Sequence, residues 1–295
     1  MKFVLAPDKF KGSLSGNEFC EVAEVAIRKL FPNAIVVKKP LADGGDGTME
    51  VVRDYLNAKE ISLAVSGPLF QKVTASYLYS ERRKVAFIEM SEASGYRLLQ
   101  APELNCMNTT TLGTGELILD ALNRGAKEMV LGIGGSATND AGMGMAHALG
   151  YRFLDDTGQV LQPIGKHLNS VAIIDTSQID DRLKELRVKV ACDVTNPFYG
   201  PDGAAYVYAP QKGSSEEEVA FLDSGLQHFS TVLEHTFDFK VQSVPGAGAA
   251  GGLGGGAIAF LNASLDSGIA IIKEIAQFVH SFPTRRSSDH RKSVV

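Results

Sequence analysis

The segment that most constrains this chain is GIGGSATNDAGMG, residues 132–144, which follows the apolar run Met129-Val130-Leu131. Five of its thirteen residues are glycine, so the backbone can turn sharply and approach another group closely. A buried strand followed by a glycine-rich turn and a helix is typical of α/β proteins that bind anions at the start of the helix. The polar residues of the turn, Ser136, Asn139 and Asp140, are therefore candidate ligand contacts.

The N-terminal part of the sequence alternates strand and helix patterns. Apolar residues over 15–31 recur at the spacing of an amphipathic helix. Ser15 followed by Glu18 is the pattern of a capping box, which predicts that this helix begins after Ser15. Strands are predicted over 2–6 and 34–37, followed by the loops APDKFKGS and ADGGDGT, and a second helix is predicted over 49–56. Both loops follow the carboxyl end of a predicted strand, and ligands of open parallel sheets bind at that end of the strands.

The middle of the chain changes character, since the β-rich runs 61–65, 73–79 and 84–89 are separated only by short polar or Gly-Pro turns. Such spacing predicts antiparallel hairpins. We place a domain boundary near residues 66–68, between a first α/β domain over 1–65 and a second over 66–278 with hairpins and glycine-rich loops. Residues 281–295 are charged, lack apolar periodicity and are predicted to be a disordered tail.

The bulk composition excludes several classes of protein. The 295 residues are 44% hydrophobic and 21% charged, with a formal net charge of −5, which predicts a globular protein without the basic field that nucleic acid or anionic membranes attract. Apolar runs are too short for a membrane span or a signal peptide. The three cysteines lack a disulfide or zinc pattern, which favours a cytoplasmic protein. A homodimer stays possible.

Three loops combine glycine with Asp, Lys, Ser or Asn: APDKFKGS, ADGGDGT and the segment 132–144. A fourth loop, CDVTNP, has no glycine but places Asp193 directly after a predicted strand. Phosphate binding explains this combination. Glycine lets backbone N–H groups close on phosphate oxygens, lysine offers a positive charge, and aspartate can hold Mg²⁺ or accept a proton from an attacking hydroxyl. An aspartate at position 140 would need a metal ion or a hydroxyl as its partner, because a bare carboxylate repels phosphate.

Each of these features also has a simpler structural explanation. ADGGDGT is typical of a turn, Asn139-Asp140 could cap the following helix, and the glycines of 246–256 could allow close helix packing. A dinucleotide-binding fingerprint, Gly132-x-Gly134-x-x-Ala137 with Asp155 after the next strand, is a further alternative. Polar residues open its helix where that fold needs apolar ones, which argues against it. A serine hydrolase is disfavoured because Ser136 lacks a G-x-S-x-G motif.

The motifs together resemble the bacterial glycerate kinases (the type 1 family of glycerate 2-kinases). The resemblance implies an α/β fold of two domains, one with a flavodoxin-like parallel sheet and one with a mixed sheet, and a cleft between them. It also implies transfer of the γ-phosphoryl group of ATP to glycerate with Mg²⁺, giving 2-phosphoglycerate; which hydroxyl reacts stays open. Eight segments carry it in the family's order: APDKFKGSLSG, LADGGDGT, FIEMSEASG, TTTLGTGELILDAL, GIGGSATNDAGMG, ACDVTNPFYGPDGAA, APQKGSS and PGAGAAGGLGGGAIAFL.

The site residues are assigned on this basis, although which aspartate is the base and which binds metal stays open. The candidate catalytic residues are Lys9, Lys11, Asp43 and Asp193, and the candidate metal ligands are Asp46 and Asp193. The candidate nucleotide-binding residues are Ser13, Gly44, Gly45, Gly134, Gly135, Ser136, Asn139, Asp140, Gly248, Gly251 and Gly252.

The sequence departs from the family pattern at two places. Ala141 stands where the family usually has glycine, which is tolerable only if its φ is negative. Family members also continue further, with a Gly-Glu-Gly-Arg-x-Asp motif that is absent here. The resemblance therefore implies that the flavodoxin-like sheet is incomplete. The alternative to an active kinase is a catalytically inactive, truncated remnant of the same family.

Overall fold

The computed structural model describes residues 1–8, 10, 13–42 and 48–281. The chain forms two compact units, one made of Met1–Tyr55 with the segment that starts at Ile269, and the other of Leu56–Gly268. Most of the predicted tail, residues 282–295, lies outside the described residues; Phe278–Ser281 forms a short 3-10 helix. No helix of the described part is long and apolar enough to cross a membrane.

The elements alternate along the chain as the sequence predicts. The helices are α1 (Gly16–Leu30), α2 (Thr48–Leu56), α3 (Ser91–Ser94), α4 (Leu112–Asn123), α5 (Met143–Ala148), α6 (Ala204–Tyr208), α7 (Glu216–Phe237), α8 (Leu253–Leu261) and α9 (Gly268–Ile275). The strands are β1 (Lys2–Leu5), β2 (Ile35–Lys38), β3 (Lys59–Ser66), β4 (Lys72–Ser80), β5 (Val85–Glu89), β6 (Glu128–Gly132), β7 (Arg152–Leu154), β8 (Ile173–Asp175), β9 (Arg187–Ala191) and β10 (Ser264–Asp266).

The smaller unit has a parallel two-stranded sheet, in which β1 pairs with β2 from Lys2↔Ile35 to Leu5↔Lys38. Helix α1 connects the two strands, and its predicted start is confirmed. Ser15 Oγ accepts a hydrogen bond from the Glu18 amide at 3.1 Å, while the Glu18 carboxylate accepts from the Ser15 amide at 2.7 Å. The reciprocal pair satisfies two amides that a helix end otherwise leaves open.

The larger unit is built on a six-stranded mixed sheet in the order β10-β9-β6-β5-β4-β3. Strands β10, β9, β6 and β5 run parallel to one another, whereas β4 is antiparallel to both β5 and β3. The two predicted hairpins are therefore present. An α/β fold with one parallel and one mixed sheet, as predicted, is confirmed.

The division between the units differs from the predicted boundary at residues 66–68. Strand β3 pairs with β4 from Lys59↔Tyr79 to Ser66↔Lys72, so residues 59–66 belong to the larger sheet rather than to the first domain. Helix α9 belongs almost entirely to the smaller unit, although the prediction included it in the second domain. The backbone N–H and C=O groups of a strand need hydrogen-bond partners on a neighbouring strand. For β3 that neighbour is β4, which assigns β3 to the larger unit.

Helices pack on the larger sheet and bury an aromatic cluster. The ring centroid of Phe153 lies 6.0 Å from that of Phe229 and 5.8 Å from that of Phe260. Helices α4 and α5 approach so closely that a Cβ on Gly115 would lie 2.3 Å from the Met145 carbonyl oxygen. This packing holds the segment between β6 and α5, the glycine-rich segment of the sequence, against the rest of the unit.

Strand β7 excludes the dinucleotide-binding alternative. It pairs with β8 in a separate two-stranded sheet rather than lying beside β6. Asp155 closes a local turn, because its carboxylate accepts hydrogen bonds from the amides of Thr157 and Gln159, both at 2.9 Å. A dinucleotide-binding unit needs the acidic residue at the end of the adjacent parallel strand.

Candidate functional site

Four parallel strands of the larger unit end side by side at one edge of the sheet. Their last residues are in register: Glu89 is paired with Gly132, Gly132 with Ala191, and Ala191 with Asp266. The loops that follow β5, β6 and β9 therefore start next to one another. This carboxyl edge is where open α/β sheets bind their ligands, and it carries the Gly134–Ser136 segment and Asp193.

The loop after β6, residues 133–136, leaves several backbone N–H groups without an acceptor in the described part of the chain. Gly134 and Gly135 are exposed, and Gly135 has a φ of 74°. The N–H groups of Gly134, Gly135 and Ser136 donate to no backbone or side-chain acceptor within the described part of the chain. Successive free N–H groups around a left-handed glycine form an anion-binding concavity, as the glycine pattern predicts.

Neighbouring backbone holds this loop in place. The Tyr96 amide donates to the Gly135 carbonyl at 3.0 Å, and the Ala137 amide donates to the Ser94 carbonyl at 2.9 Å. These bonds join the loop to the residues after α3, which belong to the motif FIEMSEASG. The loop is thus fixed before any ligand binds, which reduces the entropy that binding costs.

A buried lysine that the sequence analysis did not select supports the same loop. Lys212 is 4% exposed, and its Nζ donates to Ser136 Oγ at 2.8 Å and to the Thr138 carbonyl at 2.7 Å. Burial lowers the pKa of Lys212 to about 8, and the neighbouring thiol of Cys106 and carboxyl of Asp140 only partly oppose this shift. Its only sequence signal is its place in the motif APQKGSS.

Asp140 is fully buried, and its carboxylate has hydrogen-bond partners within the protein. Its carboxylate accepts from the amide and the hydroxyl of Thr111, both at 2.8 Å, and from the amides of Gly142 at 3.2 Å and Gly144 at 3.1 Å. Burial raises the pKa of the Asp140 carboxyl, while these bonds lower it. These bonds shape the turn into α5, and the expected contact of Asp140 with a ligand stays a prediction.

Asn139 is also fully buried, so its side chain has no surface to offer a ligand in solution. Neither its amide oxygen nor its amide nitrogen has a hydrogen-bond partner in the described part of the chain, and the same holds for Thr138 Oγ1. The predicted nucleotide contact at Asn139 therefore lies beneath the loop. The exposed part of the loop is limited to its two glycines.

The second glycine-rich segment packs against this turn rather than lining an open surface. A Cβ on Gly251 would lie 2.1 Å from the Thr138 carbonyl oxygen, and a Cβ on Gly248 would lie 2.0 Å from the Pro197 carbonyl oxygen. Gly252 is buried as well and has a φ of 87°. The structure therefore gives these three glycines, predicted as nucleotide contacts, the role of close packing.

Ala141 adopts a left-handed conformation with a φ of 53°, although the sequence analysis required a negative φ for alanine here. The residue is fully buried, and its amide donates to the Gly251 carbonyl at 3.1 Å. A left-handed alanine costs about 1–2 kcal/mol. Packing between the two glycine-rich segments imposes this strain.

Asp193 is the exposed acid of the site, directly beyond β9. One carboxylate oxygen accepts from the Gly268 amide at 3.1 Å, and the other has no partner among the described residues. Ser13, the remaining described candidate, lies exposed in a turn of the smaller unit, where its amide donates to the Phe10 carbonyl at 2.8 Å. The other candidates, Lys9, Lys11, Asp43, Gly44, Gly45 and Asp46, lie outside the described residues.

Glu89 is a second acid at this edge that the sequence analysis did not select. A Cβ on Gly132 would lie 2.5 Å from Glu89 Oε2, so the carboxylate lies across the end of β6, where the glycine loop begins. It accepts no hydrogen bond from the described residues. Burial, with the nearby charge of Glu92, raises the pKa of Glu89 to about 7. A strongly perturbed acid beside an anion-binding loop is a candidate functional group.

Replacing Glu89 by glutamine is expected to stabilise the protein at alkaline pH. Because its pKa rises from 4.5 to about 7 on folding, the folded state binds the proton more tightly, and the carboxylate destabilises the fold increasingly as pH rises through this window. We expect Glu89→Gln to raise the free energy of unfolding by roughly 2–3 kcal/mol at pH 8 and by almost nothing near pH 4.5. Urea denaturation at both pH values measures this; Glu81→Gln, in an exposed turn, is the control. An equal effect at both values would contradict the assigned pKa.

The exposed carboxylate of Asp193 fits the donor chemistry of a magnesium ion that is held mainly by phosphate oxygens and water. No group of three or more His, Cys, Asp or Glu residues that could hold a metal occurs among the described residues. Mg²⁺ usually takes only one or two carboxylates, with phosphate oxygens and water filling its other positions. The free oxygen of Asp193 meets that requirement.

Comparisons with known proteins identify the family of the chain. The profile of the glycerate kinase family matches residues 3–285. The chain is 46% identical over 278 residues to the glycerate kinase of Bacillus cereus, covering 94% of this chain and 73% of that protein. It is 47% identical over 272 residues to the glycerate 2-kinase of Escherichia coli K12, covering 92% of this chain and 71% of that protein.

A solved structure shows the same fold. The crystal structure of a Salmonella typhimurium LT2 protein assigned as a glycerate kinase 2 superposes with a TM-score of 0.91 and 40% identity, covering 95% of this chain and 75% of that one. The family profile spans most of the sequence, and the glycine loop, the exposed aspartate and the mixed sheet lie within the matched residues. The chain belongs to the glycerate kinase family and is a kinase.

Proposed function

We propose that this protein transfers the γ-phosphoryl group of ATP to glycerate in the cytoplasm and that the product is 2-phosphoglycerate. The observation that carries the proposal is the loop Gly134–Ser136, whose three free N–H groups lie at the carboxyl edge of the sheet together with Asp193. A kinase needs donors for phosphate oxygens and a carboxylate for a metal ion or a proton. Both are present at this edge, in a chain of the glycerate kinase family.

In this proposal, the loop donates hydrogen bonds to phosphate oxygens and holds them in line for transfer. The glycerate hydroxyl oxygen forms a bond to the γ-phosphorus, the bond between that phosphorus and the β,γ-bridging oxygen breaks, and ADP leaves. Asp193 accepts the hydroxyl proton or holds the magnesium ion. Bound Mg²⁺ supplies charge neutralisation for the phosphates. We also propose that Lys9, Lys11, Ser13, Asp43 and Asp46 take part in the reaction, as the family resemblance implies.

Glu89 is a second candidate for the proton acceptor. A base works best when its pKa lies near the working pH, and the pKa of Glu89 is raised to about 7. Its carboxylate lies across Gly132 at the root of the loop and has no competing hydrogen bond in the described residues. Asp193, the first candidate, is exposed instead, and its carboxylate accepts a hydrogen bond from the Gly268 amide.

The proposal is tested by incubating the full chain with ATP, Mg²⁺ and glycerate. ADP release is followed with a coupled assay, and phosphorus NMR identifies the position of the new phosphate ester. The proposal expects glycerate-dependent ADP release and a 2-phosphate resonance. A 3-phosphate resonance would correct the product. A folded protein that binds ATP without turnover would favour the inactive remnant instead.

Replacing Gly134 by alanine tests whether a ligand approaches the loop closely. A Cβ at this exposed position meets no protein atom within 4 Å, so the melting temperature should stay within about 2 °C of the original. We expect affinity for ATP to fall at least about 10-fold, because the methyl group would block phosphate oxygens from the N–H groups. Calorimetric titration with ATP measures the affinity.

Gly251→Ala is the matched control, since that glycine has a φ of 71° and its added Cβ would lie 2.1 Å from the Thr138 carbonyl oxygen. The Gly251→Ala substitution should lower the melting temperature, unlike Gly134→Ala. If Gly134→Ala bound ATP as well as the original protein, the loop would not be the phosphate site.

A further inference from the structure

We infer that Lys212 is a positioning residue that fixes the direction of the Ser136 hydroxyl, so that this hydroxyl donates a hydrogen bond to the anion bound at the Gly134–Ser136 loop. The inference rests on the proposed function and adds a donor that the backbone alone does not supply. It is carried by the contact between Lys212 Nζ and Ser136 Oγ at 2.8 Å, with both residues buried.

The direction follows from what each group can donate. A lysine ammonium has three N–H donors and no acceptor. The oxygen of Ser136 must therefore accept from Lys212, and the hydroxyl hydrogen is left to point away from it. Because Ser136 is next in sequence to the exposed Gly135, a hydrogen directed away from Lys212 is available to a ligand oxygen at the loop. The positive charge on the other side of the oxygen strengthens that donation.

The lysine itself is held rigidly, which is what a positioning role requires. Its Nζ also donates to the Thr138 carbonyl at 2.7 Å, so it joins the last residue of the loop to the segment that follows it. The following Gly213 has a φ of 87°, and a Cβ there would lie 2.1 Å from the Leu104 carbonyl oxygen. The backbone after Lys212 is thus fitted closely against the Leu104 region.

Loss of the lysine proton should release the serine. A neutral amine has a lone pair, so the Ser136 hydroxyl can then turn and donate to Nζ instead of to the ligand. The charged or titratable groups that face Lys212 are Asp140, which is held by its own donors, and the thiol of Cys106. Burial raises the pKa of that thiol above its ordinary value and lowers the pKa of the lysine to about 8, so the lysine loses its proton first as the pH rises.

The test is the affinity of the full chain for ATP with Mg²⁺, measured by calorimetric titration between pH 7.5 and 9.5. The original protein should lose about 10-fold in affinity across this range, the value of one charge-assisted hydrogen bond. Ser136→Ala should bind about 10-fold more weakly at pH 7.5 and lose little more at pH 9.5. Lys212→Arg, whose charge persists, should bind tightly at both values.

Ser94→Ala is the matched control, because this buried hydroxyl pairs with Thr114 at 2.8 Å rather than with Lys212; its pH profile should follow that of the original protein. If Lys212→Arg does not fold, the Ser136→Ala profile decides alone. A Ser136→Ala variant with the original affinity and the original pH profile would overturn the inference. An original protein that binds no ATP at any pH would instead overturn the proposed function.

Discussion

Replacing Asp193 by asparagine is expected to lower the turnover number at least about 100-fold, the usual effect of removing a catalytic acid or base. Asparagine keeps an oxygen that can accept from the Gly268 amide, as one Asp193 oxygen does at 3.1 Å. It loses the negative charge needed to take a proton or to bind a magnesium ion. Because the shape and this hydrogen bond are kept, the melting temperature should change little. Initial rates at saturating ATP and glycerate measure the effect.

The matched control is Asp156→Asn, an exposed aspartate in the turn after β7. Its rate should equal that of the original protein, because it lies beyond a strand of the separate two-stranded sheet. A loss of less than about threefold for Asp193→Asn would remove this residue from the mechanism. Glu89, at the same edge, would then be the first alternative proton acceptor.

The features that could be predicted from the sequence depend on residues close together in the chain. The capping box at Ser15 and Glu18, the hairpins over β3–β5 and the turn after β6 all depend on spacing within a few residues, and all are present. The fold class followed from such local patterns, whereas anion binding by the Gly134–Ser136 loop stays a prediction. The roles proposed for Lys9, Lys11, Asp43 and Asp46 stay predictions.

The features that sequence reasoning missed depend on partners far along the chain. Asp140 is satisfied by Thr111, which is separated from it by 29 residues, and Ser136 is bound by Lys212, which is separated from it by 76. Nothing near Asp140 indicates that its partners are neutral donors rather than a metal ion. A lysine in a short Pro-Gln-Lys-Gly turn is more often exposed than buried.

The misplaced domain boundary has a similar cause. The composition change near residues 66–68 marks a real turn between β3 and β4, but it cannot show which sheet β3 joins. The strain at Ala141 was equally hidden, since a positive φ at alanine arises from the packing of two segments rather than from the residue itself. Conversely, the glycines of 246–256 are explained by packing, the simpler of the two explanations considered.

Replacing Asp140 by alanine is expected to lower the free energy of unfolding by about 3–5 kcal/mol, a large share of the roughly 5–15 kcal/mol that is usual for a folded protein. The carboxylate satisfies four donors, two from Thr111 and one each from Gly142 and Gly144. Without it, these groups are buried and unpaired. Asp140→Asn keeps one acceptor oxygen and should lose less. Urea denaturation at pH 7.5 measures both, with exposed Asp156→Ala as a control expected to change by less than about 0.5 kcal/mol. A variant that kept its stability but lost ATP binding would show instead that the carboxylate meets the ligand directly.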